Sequence, residues 1–139
     1  MTGNDFVKFF LRTPLRVFLG NTMLITVTGS KTGRKYSTPV GFYRDGEELW
    51  ILTSRDRTWW RNVKNGATVS LLLGGKQVEA FAEAELDEKA VETHMLDYIR
   101  EIPMAARSLG IHLENKAPNR ADVRRIAKDR LFVKVRPDR

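Results

Sequence analysis

The sequence contains no cysteine and only two histidines among its 139 residues. The absence of cysteine excludes disulfides, thiolate metal sites and cysteine nucleophiles. Neither His94 nor His112 has a second potential ligand at a metal-binding spacing, and no motif pairs either with a serine nucleophile. We therefore predict no metal site and interpret both histidines as structural residues.

Long hydrophobic runs are also missing. The longest uncharged run, residues 17–30, is interrupted by Gly20 and Asn21 and is too short to span a membrane. Asp5 and Pro14 fall where a signal peptide would need to remain apolar. These features predict a cytoplasmic protein.

The excess of basic over acidic residues is the main feature of the composition. The chain has 24 Lys and Arg against 17 Asp and Glu, a net charge of +7. Its length predicts a single domain over residues 1–139 with one proper core. A basic domain favours an anionic partner, and nucleic acid, anionic lipid and a phosphorylated cofactor all qualify at this point.

Two predicted strands flank a basic turn. Residues 23–28 form a β-branched apolar run without a helical period, and residues 36–43 alternate between two faces. The turn between them carries Lys31, Arg34 and Lys35 beside hydroxyl groups and glycines. This combination suits phosphate recognition and predicts an anion site, with a solvated hairpin tip as the alternative.

A third predicted strand, residues 47–54, follows the tight-turn signal Asp45-Gly46. It ends in a second group of hydroxyl and guanidinium side chains, namely Thr53, Ser54, Arg55 and Arg57. Because the strands are neighbours, the two groups predict one shared anion site.

A short helix is predicted next, over residues 58–66. It carries two adjacent aromatic residues that must point in different directions. We predict that Trp60 fills space in the core, while Trp59 suits ligand contact and space-filling equally well.

The remaining elements complete a barrel. They are strands at residues 68–73 and 76–86, a helix at 87–101, a polar loop at 114–120, a basic helix and a closing strand at 131–135. The order predicts an α+β fold, a six-stranded antiparallel split β-barrel with flanking helices. The helices form an N-terminal segment, residues 4–20, and an insertion, residues 87–129, before the last strand.

The N-terminal segment has three open interpretations. Its phenylalanines recur at helical spacing, with basic residues interleaved. Such a helix suits a plug at one end of the barrel, a lid over a ligand site, or peripheral contact with a membrane surface.

The motif around the basic turn resembles that of a known family. The residues from Thr28 to Lys35, TGSKTGRK, and those from Ser37 to Gly46, STPVGFYRDG, are similar to the deazaflavin-dependent nitroreductase family. This family of split β-barrels is related to the pyridoxamine-phosphate-oxidase-like FMN-binding barrels. The resemblance covers residues 23–86 well and the rest loosely.

The resemblance implies an oxidoreductase whose cofactor is the 8-hydroxy-5-deazaflavin coenzyme F-420, with FMN as the alternative. It implies that Lys31, Arg34 and Lys35 bind the phosphate or acidic tail. Ser37, Thr38 and Pro39 would then line the ring edge, and Thr53 and Ser54 would add hydrogen bonds. Because the cofactor carries the hydride chemistry, no catalytic dyad is needed and none is assigned.

The predicted reaction is hydride transfer to an electron-poor small molecule such as a quinone, an enone or a nitroaromatic. A tetrapyrrole-binding protein of the same fold and a basic nucleic-acid-binding module are the alternatives, although no nucleic-acid-binding motif is present. A homodimer stays open, since many flavin-binding relatives pair across the cofactor site.

Overall fold

The computed structural model describes residues 22–138, so the predicted N-terminal helical segment, residues 4–20, lies outside the described part of the chain. Six strands form a closed antiparallel barrel in the order β1-β2-β3-β8-β5-β4. Their bounds are Thr22–Thr28 (β1), Lys35–Asp45 (β2), Glu48–Ser54 (β3), Ala67–Leu73 (β4), Lys76–Glu85 (β5) and Arg130–Pro137 (β8). The prediction of an α+β protein with a six-stranded antiparallel barrel is confirmed.

The barrel interior is an apolar core made by alternate residues of each strand. Side chains of successive strand residues point to opposite faces, so every second residue faces inward. Those fully buried inside include Ile25, Phe42, Ile51, Leu71 and Val133. Trp60, on a short 3₁₀-helix Trp59–Val63, adds its indole to this core, as predicted.

Three helices cover the outer face of β2, β3 and β8. They are α1 (Glu88–Glu101), α2 (Met104–Leu109) and α3 (Arg120–Ala127). The α1 helix begins at Asp87, whose carboxylate accepts a hydrogen bond from the Ala90 N–H at 3.0 Å. A second core forms beneath the helices, where Tyr43, Trp50 and Phe132 of the strands meet Val91, Met95 and Tyr98.

The prediction of a polar loop at residues 114–120 is wrong. Leu113–Glu114 (β6) and Ala117–Pro118 (β7) pair as a small hairpin, and Arg120 already belongs to α3. Asn115 and Lys116 form its turn, with φ of 51° and 69°. Two positive φ values in succession are typical of a tight hairpin turn. The sequence did not reveal this turn, because the turn contains no glycine, the residue that usually marks such turns.

One open end of the barrel collects the segments proposed for binding. In the strand registers, Thr28 pairs with Lys35 and Ser54 pairs with Arg130. The hairpin turns at Gly46 and Gly74 lie at the opposite end. We call the first end the basic end, because the basic turn, the loop after β3 and the start of β8 all meet there.

His94 is held in the second core by aromatic contacts. Its ring stacks on Trp50 with centroids 3.6 Å apart, and its Nδ1 lies 2.8 Å from the Tyr43 hydroxyl. Burial lowers the pKa of His94 below its ordinary value, against the opposing effect of Asp97 and other carboxylates. Burial likewise raises the pKa of Tyr43, so the phenol stays protonated and can donate a hydrogen bond to Nδ1 of a neutral imidazole.

This arrangement predicts a pH-dependent stability. Below about pH 6.5 the unfolded chain binds a proton at His94 more readily than the folded protein does, so the free energy of unfolding falls as the pH is lowered through this range. Urea titrations at several values between pH 5.5 and 7.5 measure the slope. We expect His94→Gln to flatten it and His112→Gln, at an exposed position, to leave it unchanged. A slope that survives His94→Gln would assign it to other groups.

Candidate functional site

The basic turn has a shape fixed by its own backbone. The Gly29 N–H donates to the Arg34 carbonyl at 2.6 Å, and the Gly33 N–H donates to the Gly29 carbonyl at 2.9 Å. Gly33 has φ of 72°, a conformation that favours glycine. Lys31, Arg34 and Lys35 are all exposed. The turn therefore presents three cations to solvent from a closed backbone loop.

A groove lies on the barrel surface where β2 and β3 run side by side towards the basic end. It is a cavity of about 260 Å³. The strands contribute Thr38, Pro39, Gly41, Leu52, Thr53 and Ser54. Gly41 pairs with Leu52 in the register, and it lies on the same strand face as Pro39 and Tyr43 without a side chain to project into the groove.

Residues from three other segments close the groove. Arg57 and Trp59 come from the loop and short helix after β3, Leu109 from the last position of α2, and Arg130 from the start of β8. The indole Nε1 of Trp59 donates to Thr53 Oγ1 at 3.3 Å. Trp59 is thus oriented by a residue of the groove itself, while its ring also packs against the barrel core.

The two arginines predicted from the loop after β3 lie in different surroundings. Arg55 is partly buried, and its guanidinium donates to the carbonyls of Arg130 at 2.9 Å and Leu86 at 2.7 Å. Its backbone N–H also donates to the Asp129 carbonyl. Arg55 therefore joins β3, β5 and β8 at the basic end, whereas Arg57 is exposed and lines the groove.

The groove brings together part of the set predicted from the sequence, namely Thr38, Pro39, Thr53, Ser54, Arg57 and Trp59. The basic turn stands beside the groove at the same end of the barrel, and Ser37 is turned towards Thr26, with 2.7 Å between the hydroxyl oxygens. Sequence reasoning missed Leu109 and Arg130. Arg130 could have been found from the pairing of the closing strand with β3, which sets it opposite Ser54.

The lining of the groove fits a planar ring with polar edges. Pro39, Leu52 and Leu109 provide apolar walls, and two guanidinium groups supply positive charge. Of the three hydroxyl groups, that of Ser54 already donates to Asp56 Oδ1 and that of Thr53 already accepts from Trp59 Nε1. The volume is just below the ~300–1,000 Å³ typical of ligand pockets, so it suits the ring of a cofactor and leaves a tail outside. Within residues 22–138, no cluster of three or more His, Asp or Glu side chains is placed to hold a metal.

A family model described as F420H(2)-dependent quinone reductase matches residues 13–101. The chain belongs to this family. It is a deazaflavin-dependent reductase, and the family supports coenzyme F-420 as its cofactor. The family predicted from the motif around the basic turn is confirmed.

Solved structures share the fold at low sequence identity. An F420 reductase has a TM-score of 0.51 at 19% identity, covering 91% of this chain and 95% of its own. An FAD- and heme-binding protein from Mycobacterium smegmatis scores 0.54 at 17% identity, covering 91% and 67%. A general stress FMN/FAD-binding protein from Xanthomonas citri scores 0.52 at 13% identity, covering 86% and 77%. A search of curated proteins found no match.

The different surroundings of Arg55 and Arg57 generate a prediction about stability. Arg55→Ala leaves two carbonyls without their charged donor, so we expect it to lower the free energy of unfolding by about 1–3 kcal/mol. Arg57→Ala removes an exposed side chain and should change that energy by less than about 0.5 kcal/mol. Urea unfolding of the two variants beside wild type measures both values. Equal losses in the two variants would contradict the structural role of Arg55.

Proposed function

We propose that the protein transfers a hydride from reduced F-420 to an electron-poor acceptor such as a quinone, an enone or a nitroaromatic. The deazaflavin ring would occupy the groove, and the anionic tail would lie along the basic turn. The observation that supports this arrangement best is the position of the two sites, because a groove lined with hydroxyls and guanidiniums ends next to three exposed cations.

The spacing between groove and turn suits a coenzyme that carries its phosphate away from its ring. Lys35 is the last cation of the turn, and Thr38 is the first residue of the groove on the same strand. Three residues of extended strand span about 10 Å. Lys31 and Arg34 extend the positive region further, where acidic groups beyond the phosphate would lie.

The groove residues would hold the ring, and none of them would form or break a covalent bond. When bound, the deazaflavin supplies the hydride. Pro39, Leu52 and Leu109 would exclude water from one side of the ring. The Thr38 hydroxyl would hydrogen-bond its polar edge, and the Ser54 hydroxyl, which donates to Asp56, would act there only as an acceptor. Arg57 and Arg130 would favour negative charge on the ring system.

FMN is the second candidate for the same groove. It offers a similar tricyclic ring and a phosphate, and two structures of this fold are described as FMN/FAD-binding and as FAD- and heme-binding proteins. A heme or another tetrapyrrole fits the groove less well, because it is larger than a flavin ring and the cavity measures about 260 Å³. Nucleic-acid binding draws support from the net charge of +7 alone.

The assembly and location of the protein stay predictions. We propose a homodimer, supported by a structural neighbour described as a domain-swapped dimer, with a TM-score of 0.52 at 20% identity over 99% of this chain and 100% of its own. Within residues 22–138 no helix has the length and apolarity to cross a membrane. The cytoplasmic location and the peripheral membrane contact through residues 4–20 are untested expectations.

The proposed tail site predicts a loss of coenzyme affinity when its cations are removed. We expect Lys31→Ala with Arg34→Ala to raise the dissociation constant of F-420 by at least about tenfold, since each charge-assisted hydrogen bond contributes about 1.5–3 kcal/mol before solvent screening. Fluorescence titration at moderate salt, with F-420 and with FMN, measures the affinities. Turnover is then followed as oxidation of the reduced coenzyme by quinone, enone and nitroaromatic acceptors.

The matched control removes one lysine and one arginine from the opposite end of the barrel. Arg44 and Lys76 are exposed there, so Arg44→Ala with Lys76→Ala makes the same change in net charge. Equal weakening by both pairs would mean that only the overall charge attracts the coenzyme. Failure of wild type to bind F-420 or FMN would overturn the proposal.

A further inference from the structure

A side chain on the short helix anchors the basic turn. Asn62 accepts a hydrogen bond at Oδ1 from the Ser30 backbone N–H at 3.0 Å, and the Ser30 hydroxyl lies 3.4 Å from the same oxygen. The amide Nδ2 of Asn62 donates to the Trp59 carbonyl at 3.1 Å. Asn62 therefore joins the start of the basic turn to a residue that lines the groove.

The connection continues into the groove. Trp59 Nε1 donates to Thr53 Oγ1 at 3.3 Å, and Thr53 lies in β3. A chain of contacts thus runs from Ser30 in the turn to Thr53 in β3. It passes through Asn62 and then through Trp59, which accepts at its backbone carbonyl and donates from its indole. This chain of contacts crosses three segments that are separate in sequence.

The internal bonds of the turn cannot replace this contact. The hydrogen bonds from Gly29 to Arg34 and from Gly33 to Gly29 set the shape of the loop. They do not set its direction relative to the groove, because both bonds lie within the loop. A contact from outside the loop is needed to fix that direction, and Asn62 makes one.

We infer that Asn62 is a positioning residue that holds the basic turn at the distance and orientation from the groove that a coenzyme occupying both requires. The inference rests on the proposed function. Ring and tail belong to one molecule, so binding at both sites gains only when the sites are already correctly spaced. An unanchored turn would still carry its cations but would add little affinity to a ring bound in the groove.

The amide group of Asn62 is required for this role. The Ser30 N–H can only donate and the Trp59 carbonyl can only accept, so the side chain needs one acceptor and one donor at adjacent positions. Aspartate has the same shape but offers a second acceptor, which would face the Trp59 carbonyl without a proton between them. Alanine removes both bonds.

The test compares the whole coenzyme with its ring fragment. We expect Asn62→Ala to raise the dissociation constant of F-420 by about tenfold, because the turn would then have to be ordered when the coenzyme binds. The dissociation constant of the deazaflavin riboside that lacks phosphate and tail should change by less than about twofold, as should kcat at saturating coenzyme, while the KM for the coenzyme rises. Asn62→Asp should behave like Asn62→Ala.

Asn65→Ala is the matched control, because Asn65 is an exposed residue of the same type just beyond the short helix. It should bind both ligands as wild type does. A loss of ring-fragment affinity equal to that of the whole coenzyme in Asn62→Ala would overturn the inference, since Asn62 would then support the groove or the fold rather than the spacing.

A combined variant separates the inference from the proposed function. If Asn62 acts by placing the cations, adding Asn62→Ala to the variant lacking Lys31 and Arg34 should weaken binding by less than about twofold more, because the two effects are coupled. Unaltered F-420 binding by the variant lacking Lys31 and Arg34 would overturn the proposed tail site. Weakened binding in that variant together with wild-type affinity in Asn62→Ala would overturn only the inference.

Discussion

Closure of the barrel by β8 is the constraint on which the rest of the structure depends. This strand pairs with β3 along one edge and with β5 along the other, and so joins two hairpin systems that are separate in sequence. Because every strand then has two neighbours, no edge is left unpaired within the barrel. Closure also brings the start of β8 against the end of β3, which is where Arg130 reaches the groove.

The same strand has apolar partners on both of its faces. Val133 faces the barrel interior, whereas Phe132 faces the three helices. The outer core fixes those helices against the barrel, and the last residue of α2, Leu109, thereby becomes a wall of the groove. The site is therefore supported by two cores, one beneath it and one beside it, and Arg55 ties the barrel end between them through backbone carbonyls.

Most of the fold could be predicted from the sequence because its signals are local. Alternation in residues 76–86, the Asp45-Gly46 turn and the Asp87 cap each specify one element within a few residues. The hairpin at residues 113–118 could not be found in this way, because its turn uses Asn115 and Lys116 instead of glycine. The lining of the groove was predictable where it follows the chain of β2 and β3. Leu109 and Arg130 were missed because they reach it only through tertiary packing. Arg55 and Arg57 look alike in the sequence, which cannot show that Arg55 is partly buried and bonded to backbone carbonyls while Arg57 is exposed.

The groove draws on parts of the chain that are far apart in the order of synthesis. Thr38 and Thr53 are made early, whereas Leu109 and Arg130 are added only after most of the barrel strands. A partly synthesised or truncated chain therefore cannot assemble the complete lining, however well its first hairpin forms. Any ligand that needs the full groove binds the closed barrel and not its precursors, so it draws the equilibrium towards the completed fold. The coenzyme would then bind only chains that have finished folding, and incomplete chains would not compete for it.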